Sequence, residues 1–224
     1  AAGTTLSPFG RGWDVHFGRV AHRPDQTCSG ATPQTMTLEL PDGSRQTFHK
    51  SNGVASTSAS DYLTTSFWKG QCIPAGGMNV YSPDGTRYEM TEIDSGLMHA
   101  KRIVDRFGNT FTLTYAVNAQ TGRKVVTLVE ANDGREVTFT YAAGKLTSVS
   151  GGGVTWGYTV TTATDGSGSY QLTRVTPPAG GPWDYAYNGN LGTSAGSYLL
   201  RQVTNPYGGL FKKTHKTPTF RQLV

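Results

Sequence analysis

The sequence predicts an all-β protein of repeated antiparallel β-hairpins that form a curved, spiralling sheet. Apolar and polar residues alternate with period two in most segments, as in residues 110–115 and 136–141, so each strand has one core-seeking face and one polar face. Glycine-centred turns separate these segments, and glycine is abundant, at 29 of 224 residues. Helical periodicity is nearly absent. Aromatic residues make up 11% of the chain, which is enough to build a core.

Length and charge narrow the class of protein further. A chain of 224 residues can form one all-β unit or two small domains, and because no linker divides it we expect one continuous β-structure. No apolar run is long enough for a membrane-spanning helix. The net charge is +5, but the basic residues are scattered apart from the C-terminal tail. A nucleic-acid-binding module concentrates them on one face, so nucleic acid is not an expected partner.

Residues 1–101 are predicted to open the structure with the plainer hairpins. Trp13 begins a segment of alternating apolar and polar residues, which is typical of a strand. Asp-Gly turns follow at Gly43 and Gly85, and Asp-Gly between extended runs is a strong hairpin signal. The Ser- and Ala-rich stretch from 50 to 61 is predicted as a surface loop. The chain starts without Met or signal-peptide features, so we expect it to be processed or to begin downstream.

Residues 102–209 contain an internal repeat, continuous with the opening part. Three copies have an apolar residue, a turn glycine five positions later and an aromatic residue twelve positions later, and two further copies depart from this register. The turn needs the positive φ that glycine adopts without steric cost, and the flanking apolar and aromatic residues then fall on the core side of paired strands. The apolar residues that begin the copies are Ile103, Val129, Val149, Val175 and Val203.

The predicted turn and core positions follow from this register. One copy has a shortened turn at residues 151–153, and in the last copy the twelfth position is His215. A further surface loop is predicted at residues 165–169. The predicted turn glycines, including the two upstream ones, are Gly43, Gly85, Gly108, Gly134, Gly180 and Gly208. The predicted structural aromatics, including the one in the opening part, are Trp13, Tyr115, Tyr141, Tyr158 and Tyr187.

Some aromatic residues share one face of a strand. Trp183, Tyr185 and Tyr187 alternate with other residues, as do Trp156 and Tyr158. Such a face can be a stacking platform for sugars or single-stranded nucleic acid, or it can be core, with each ring burying about 150 to 250 Å². The turn-linked repetition favours core.

The sequence predicts no catalytic, cofactor or metal site, and we expect a non-enzymatic protein. Glu89, Glu92 and Asp94 cluster, but sequence proximity does not establish the carboxylate separation of about 5 to 10 Å that a glycosidase needs. No helix pattern follows the glycines at 151–153 to form a phosphate-binding loop. No two histidines have the spacing of a helical zinc site. They are His16, His22, His49, His99 and His215.

The two cysteines, Cys28 and Cys72, are too few for a disulfide framework and lack zinc-ligand spacing. A single bridge between them is expected in an oxidising compartment. The alternative is two unpaired thiols, because a bridge needs Cα atoms within about 7 Å.

Several segments resemble the YD repeats of the Rhs family. They are residues 102–109 with 114–115, residues 141–149 and residues 201–209. Residues 9–13, Phe-Gly-Arg-Gly-Trp, resemble the glycine-tryptophan opening of the Rhs core, and the likeness covers residues 6–210. The resemblance implies a shell of β-hairpins around a hollow interior that encloses a C-terminal toxin polypeptide, released by autoproteolysis. Neither the self-cleaving aspartate motif nor a toxin domain is visible, so neither activity is expected of this chain.

Residues 210–224 are predicted to be an atypical basic tail. The strand pattern fails from Leu210 onward, and residues 211–218 are basic without an acid. A truncated shell, a tail that docks on a partner and a disordered end all fit this pattern. A solvated tail is favoured over a tail that binds an acidic surface. The residues that could bind such a surface are Lys212, Lys213, Lys216 and Arg221.

The sequence thus favours a structural segment of an Rhs-type shell that encloses or carries a toxin polypeptide. Its expected partners are the remaining shell segments and the enclosed polypeptide, together with a second copy through an open strand edge. We expect a secreted or exported bacterial protein. The alternative is a secreted carbohydrate-binding or adhesive β-module with its aromatics outside. A hydrolase is a third reading, which would need polar residues converging on a cleft.

Overall fold

The computed structural model describes residues 7–23, 36–50, 61–73, 76–163, 168–187 and 199–213. Within them every regular element is a β-strand and every pairing is antiparallel, so the all-β class is confirmed. No helix in these residues has the length and hydropathy needed to cross a membrane. The strands are β1 (Arg19–Ala21), β2 (Met36–Glu39), β3 (Arg45–Lys50), β4 (Asp61–Leu63), β5 (Lys69–Cys72), β6 (Met78–Tyr81), β7 (Arg87–Asp94), β8 (Leu97–Val104), β9 (Thr110–Val117), β10 (Lys124–Ala131), β11 (Glu136–Ala142), β12 (Lys145–Gly151), β13 (Val154–Thr162), β14 (Tyr170–Thr176), β15 (Trp183–Tyr187), β16 (Leu200–Thr204) and β17 (Leu210–Lys212).

The chain forms two compact units. One consists of residues 15–138, and the other of residues 1–14 together with residues 139–224. We call them the ring unit and the repeat unit. The predicted boundaries at 101/102 and 209/210 stay predictions.

In the ring unit, β1 to β8 close into a small barrel. Each strand pairs with the next along the chain, and β1 pairs with both β2 and β8, which closes the ring. Val20 lies opposite Leu38 on one side and Met98 on the other. The enclosed core consists of fully buried apolar side chains, because closure leaves this face without contact to water. The largest of them are Tyr62, Phe48, Met36, Leu38, Met78, Met90, Met98, Val20 and Val80.

Further strands leave the ring at β8. Residues 97–99 of this strand pair with β1, and residues 102–104 pair with β9. Lys101, between the two halves, has no partner across the β7–β8 ladder, which makes it a β-bulge. A bulge bends its strand and increases the local twist, so the two halves of β8 can serve different neighbours. From β9 the meander continues through β10.

In the repeat unit, β12 to β17 form a meander in which each strand pairs with the next. A small cluster of Val160, Tyr170 and Leu172 is buried on one face. Partly buried aromatic and apolar side chains pack against it, namely Trp13, Tyr158, Val175 and Tyr185. In the described residues, β17 is paired on one side alone, with β16.

The prediction that the strand pattern fails from Leu210 onward is wrong for the first residues of the tail. Residues 210–212 form β17, with Phe211 opposite Val203. Its three side chains are exposed, so no apolar–polar alternation marks this strand, and backbone pairing with β16 holds it instead. Residues 214–224 lie outside the described residues. So do 51–60 and 164–167, which cover most of the two predicted loops.

Candidate functional site in the hairpin repeats

Three of the repeat turns, at Gly108, Gly134 and Gly208, share one hydrogen-bonding geometry. In the first, the Asp105 N–H donates to the Asn109 carbonyl at 2.9 Å, and the Gly108 N–H donates to the Asp105 carbonyl at 3.1 Å. The same pair of bonds closes the upstream Asp-Gly turns at Gly43 and Gly85 and the later turns at 131–135 and 205–209. All six predicted turn glycines have φ between 81° and 91°. The five turns closed by these bonds are three-residue hairpin loops with glycine in the left-handed position.

An acidic or amide side chain reinforces these turns. The Asp105 carboxylate accepts hydrogen bonds from the Phe107 and Asn109 N–H groups, both at 2.8 Å. The Asn109 side-chain amide also donates to it, and these bonds lower the pKa of the Asp105 carboxyl below its ordinary value. In the last copy the Asn205 side-chain oxygen takes the same place, accepting from Tyr207 and Gly209. The turn acids are therefore parts of the turn structure.

Each of four repeat copies carries a β-bulge at the same place. One unpaired residue lies two positions before the apolar residue that begins the copy. Because of this extra residue, side chains three positions apart point to the same face, whereas in a regular strand they point to opposite faces. The bulge residues are Lys101, Thr127, Thr173 and Arg201.

The bulge explains a buried position that sequence reasoning missed. The residue three positions before each repeat residue is apolar in all five copies, and four of these five are buried, with exposures of 0 to 5%. A spacing of three does not fit period-two alternation, so the signal was present in the sequence as a repeated apolar-x-x-apolar pattern. These residues are Ala100, Val126, Leu146, Leu172 and Leu200.

Threonine at the bulge position bonds the neighbouring strand. The Thr173 hydroxyl donates to the Thr159 carbonyl at 3.1 Å, and the Thr127 hydroxyl donates to the Thr114 carbonyl at 3.2 Å. Thr147, at the same position of another copy, also donates to the facing strand, at 3.1 Å. At Thr127 and Thr173 the hydroxyl thus adds a side-chain bond where the ladder is irregular.

The repeat tyrosines act through their hydroxyls as well as their rings. The Tyr115 hydroxyl donates to the Ala100 carbonyl at 2.8 Å, and the Tyr187 hydroxyl donates to the Leu172 carbonyl at 2.9 Å. Both acceptors are the buried residues just before a bulge. Burial raises the pKa of the Tyr115 phenol well above its ordinary value. Each tyrosine therefore ties its own strand to the bulge that begins its copy.

The other two repeat tyrosines lie in the repeat unit. Tyr141 packs edge-on against Phe9, with ring centroids 6.2 Å apart. Its pKa is raised by burial and by the nearby Asp14 carboxylate. Tyr158 is half-buried against the cluster around Leu172, and burial raises its pKa too.

The opening segment, residues 8–13, docks on the repeats of its own unit. The Pro8 carbonyl accepts from the Leu146 N–H at 2.9 Å, and the Arg11 N–H donates to the Tyr170 carbonyl at 2.7 Å. Gly10 has φ of +96°, and a Cβ there would overlap the backbone nitrogen of Leu172. Glycine is therefore required at position 10 for two reasons, its positive φ and the close approach of the Leu172 backbone.

Trp13 anchors the end of this segment. Its indole N–H donates to the Tyr187 hydroxyl at 2.8 Å, and that hydroxyl in turn donates to the Leu172 carbonyl. The Trp13 ring packs edge-on against Tyr185, with centroids 5.3 Å apart. The predicted opening aromatic and a predicted repeat aromatic are thus 174 residues apart in sequence and directly bonded in the structure.

The expectation that the shared aromatic faces are core is wrong at two positions. Trp156 is 41% exposed and Trp183 is 40% exposed, whereas Tyr185 and Tyr187 on the same strand as Trp183 are half-buried. Both tryptophans lie beside hairpin turns, and the opening segment contacts Tyr185 and Tyr187 instead. Apolar–polar alternation shows which side chains of a strand share a face, but a segment distant in sequence determines which part of that face is buried.

The carboxylates of Glu89, Glu92 and Asp94 make ion pairs and hydrogen bonds that hold the structure together. Glu89 pairs with Arg87 at 2.8 Å and with Arg102 at 3.3 Å. Glu92 accepts from the Gly96 N–H at 3.2 Å, and Asp94 accepts from a backbone N–H of β10 at 3.2 Å.

Elsewhere in the ring unit, Glu39 binds Arg19 and Arg45, at 2.6 and 3.0 Å. Burial raises the pKa of the Glu39 carboxyl, but the hydrogen bonds and charges of the two arginines outweigh it, so the pKa is lowered. The described residues contain no group of three or more His, Cys, Asp or Glu side chains arranged to hold a metal ion.

Cys72 is 3% exposed and disulfide-bonded. Cys28 lies outside the described residues, so the pairing of the two cysteines stays a prediction. Among the histidines, His99 packs against the Tyr115 ring at 5.6 Å, and His22 Nε2 lies 3.8 Å from Glu92 Oε2. His215 is outside the described residues.

The geometry defines an all-β protein of bulged hairpin repeats with a docked opening segment. No protein-family model matches the chain, and no curated protein matches it. Two solved structures are similar to it in fold. One is the crystal structure of TcdB2-TccC3-Cdc42, with 13% identity and a TM-score of 0.48, covering 94% of this chain and 14% of that one. The other is the N-terminal domain of effector protein SpvB from Salmonella typhimurium strain LT2, with 11% identity and a TM-score of 0.44, covering 85% and 88%. This chain thus spans about a seventh of the length of the first.

Proposed function

We propose that this chain is a non-enzymatic wall segment of an Rhs-type shell that encloses or carries a toxin polypeptide. The observation that carries the proposal is the repeated bulge and glycine turn, joined in two copies by a hydroxyl-bonded tyrosine. That unit gives the same hairpin at successive places along the chain, as a wall built by repetition requires. The partners of such a segment are the remaining shell segments and the enclosed polypeptide, and its place is outside the cytoplasm of a bacterium that exports it.

The repeat unit supports a role in which neighbours supply stability. Four of the five copies bury the apolar residue three positions before the repeat residue, and the repeat residue itself is buried or half-buried. A single hairpin of this kind is marginal in water, because it buries too little. Copies that pair edge to edge extend the buried face, and stability then comes from the interfaces between neighbours.

The last strand supports continuation of the wall. The Lys213 N–H donates to the Arg201 carbonyl, and the Asn205 N–H donates to the Gly209 carbonyl. Backbone groups alternate in direction along a strand, so those of Leu210 and Lys212 point away from β16. An edge of this kind accepts a further strand.

The test is the solution mass of the purified chain by light scattering after size exclusion, over a range of protein and salt concentrations. We expect mass above the 24.0 kDa monomer that grows with protein concentration. The Leu210→Pro variant, which lacks an outward N–H, should remain monomeric. Its matched control, Leu210→Ala, removes the side chain but keeps the N–H and should still associate. A wild-type monomer at every protein and salt concentration would mean that the edge is capped, and the wall proposal would fail.

A second candidate function rests on the exposed tryptophans. Trp156 and Trp183, each about two-fifths exposed, could stack on sugar rings in a carbohydrate-binding module. That function predicts binding on a glycan array that is lost in Trp183→Ala with the fold intact. Unchanged binding in that variant, or no glycan binding by the wild type, would remove this candidate.

A further inference from the structure

The net charge of the protein is concentrated at its C-terminal end. Residues 185–224 contain five basic residues and no acidic residue, while the remaining 184 residues hold fifteen of each sign. The whole formal charge of +5 therefore belongs to these last forty residues. The basic residues are Arg201, Lys212, Lys213, Lys216 and Arg221.

Three of these cations lie on the last described hairpin, β16–β17. Lys212 lies opposite Gln202, and the Lys213 N–H donates to the Arg201 carbonyl at 2.8 Å. The side chains of Arg201, Lys212 and Lys213 are exposed, and none of them makes an ion pair with a described residue. The cations thus border the same strand whose outer edge is unpaired in the described part of the chain.

The edge itself combines backbone and apolar groups. The N–H and C=O groups of Leu210 and Lys212 point away from β16, by the alternation described above. Leu210 is 55% exposed and Phe211 is 65% exposed. Together these residues offer hydrogen bonds to an extended backbone and apolar contacts to its side chains.

We propose that the β17 edge accepts an acidic polypeptide segment as an additional strand. This rests on the proposed function, in which β17 is an open edge of a wall, and adds the chemistry of what covers it. Carboxylates on the added strand lie beside Lys212 and Lys213, and opposite charges on neighbouring strands stabilise the pair. The acid-free end of this chain also raises the rate at which an acidic partner encounters it.

Other partners at the β17 edge would pair with fewer of its backbone, charged and apolar groups. The same edge of a second copy carries three more cations and no acidic residue, so two copies repel each other at low salt. Lysines on edge strands commonly prevent edge-to-edge pairing in this way. Nucleic acid or an anionic membrane neutralises the cations but gives no strand to the outward N–H and C=O groups. An acidic extended segment satisfies the charges, the backbone groups and the apolar side chains together.

The experiment measures binding of short fluorescent peptides to the full chain by fluorescence anisotropy. The probe is a peptide in which Glu alternates with Val and Thr. One comparison peptide has Lys in place of Glu, and another has Pro at alternate positions, which keeps the charge but removes the ladder donors. A DNA duplex and phosphatidylserine vesicles are measured in parallel.

We expect the Glu peptide to bind and the Lys and Pro peptides not to bind. Affinity should fall as salt rises, whereas self-association through the same edge should rise with salt because the lysines are screened. The Lys212→Glu/Lys213→Glu variant should lose at least about tenfold in affinity for the Glu peptide. Its matched control, Lys101→Glu/Lys124→Glu, makes the same charge change at exposed positions of the ring unit and should bind like the wild type.

Equal binding of the Glu and Lys peptides, or equal loss in the two charge variants, would overturn the acidic specificity. Equal binding of the Glu and Pro peptides, or tighter binding of DNA or vesicles, would overturn strand addition. If the chain self-associates through β17 and no peptide binds, this inference fails and the wall proposal stands. If the chain is always monomeric and binds no peptide, both fail.

Discussion

The hydroxyls of Tyr115 and Tyr187 make hydrogen bonds that a phenyl ring alone could not make. Each reaches the carbonyl of the buried residue that precedes a bulge, fifteen positions earlier in the chain. Ala100, which accepts from Tyr115, has no exposed surface. A carbonyl there without a partner would cost about 1 to 3 kcal/mol. At the residue scale, the repeat aromatic is therefore selected for a polar bond as well as for burial.

This predicts the stability of substitutions at Tyr115. Tyr115→Phe keeps the ring but removes the hydroxyl, and we expect a loss of about 1 to 3 kcal/mol in the free energy of unfolding. Tyr115→Ala, which also removes the ring, should lose about 3 to 5 kcal/mol. The control is Tyr207→Phe at a 95% exposed phenol, which should change stability by less than about 0.5 kcal/mol. Urea denaturation measures all three, and equal stability of Tyr115→Phe and wild type would contradict the role of the hydroxyl.

At the scale of elements, the bulge and the opening segment organise the repeats. The bulge places residues three apart on one face, and the opening segment, residues 8–13, then packs on the face that carries Leu172 and Tyr185. It approaches most closely at Gly10, where the backbones of two elements touch. Gly12, two residues away, also has a positive φ but nothing within 4 Å of a Cβ.

The two glycines make a matched pair for a prediction. Gly10→Ala should displace the opening segment, because its Cβ overlaps the backbone of Leu172. Gly12→Ala should cost only the strain of a positive φ, which lowers the free energy of unfolding by about 1 to 2 kcal/mol. Hydrogen exchange of the Leu146 amide, which donates to the Pro8 carbonyl, reports on docking. We expect its protection to be lost in Gly10→Ala and largely kept in Gly12→Ala. Similar protection in both variants would show that the close approach does not control docking.

At the scale of the whole molecule, buried phenols couple stability to alkaline pH. Burial raises the pKa of phenols in both units, so the folded state favours the neutral form. Their contribution is fully present below the ordinary pKa of 10.0 and is lost progressively as pH rises from there through the raised pKa of the folded state, because the unfolded chain releases protons that the folded chain keeps. These residues are Tyr62, Tyr88, Tyr115, Tyr141, Tyr158, Tyr185 and Tyr187.

We therefore expect the free energy of unfolding to fall with a steepening slope above about pH 10. Tyr115→Phe removes one titrating phenol, so its slope should be shallower than that of the wild type. Tyr207→Phe, which removes an exposed phenol, serves as the control. The measurement is urea denaturation at a series of alkaline pH values. Parallel curves for wild type and Tyr115→Phe would contradict the coupling.

The sequence alone predicted the repeat strands and their glycine turns, but it also predicted a strand from Trp13 to Phe17, where the structure has none, and it missed β17. Strands and turns are local properties, since period-two alternation gives a strand its faces and a positive φ at a position such as Gly108 needs no distant partner. It also predicted Trp13 as a structural residue together with the repeat aromatics.

The tertiary structure alone decided which strands meet and what covers each face. Ring closure joins β1 to β8 across about eighty residues, and the bulges at residues such as Thr173 are shifts between two strands rather than features of one. The half-burial of Tyr187 and the exposure of Trp183 depend on where residues 8–13 dock. Pairing of β17 likewise depends on β16. Ring closure and the docking of residues 8–13 are contacts between residues distant in sequence, which no pattern within one segment encodes.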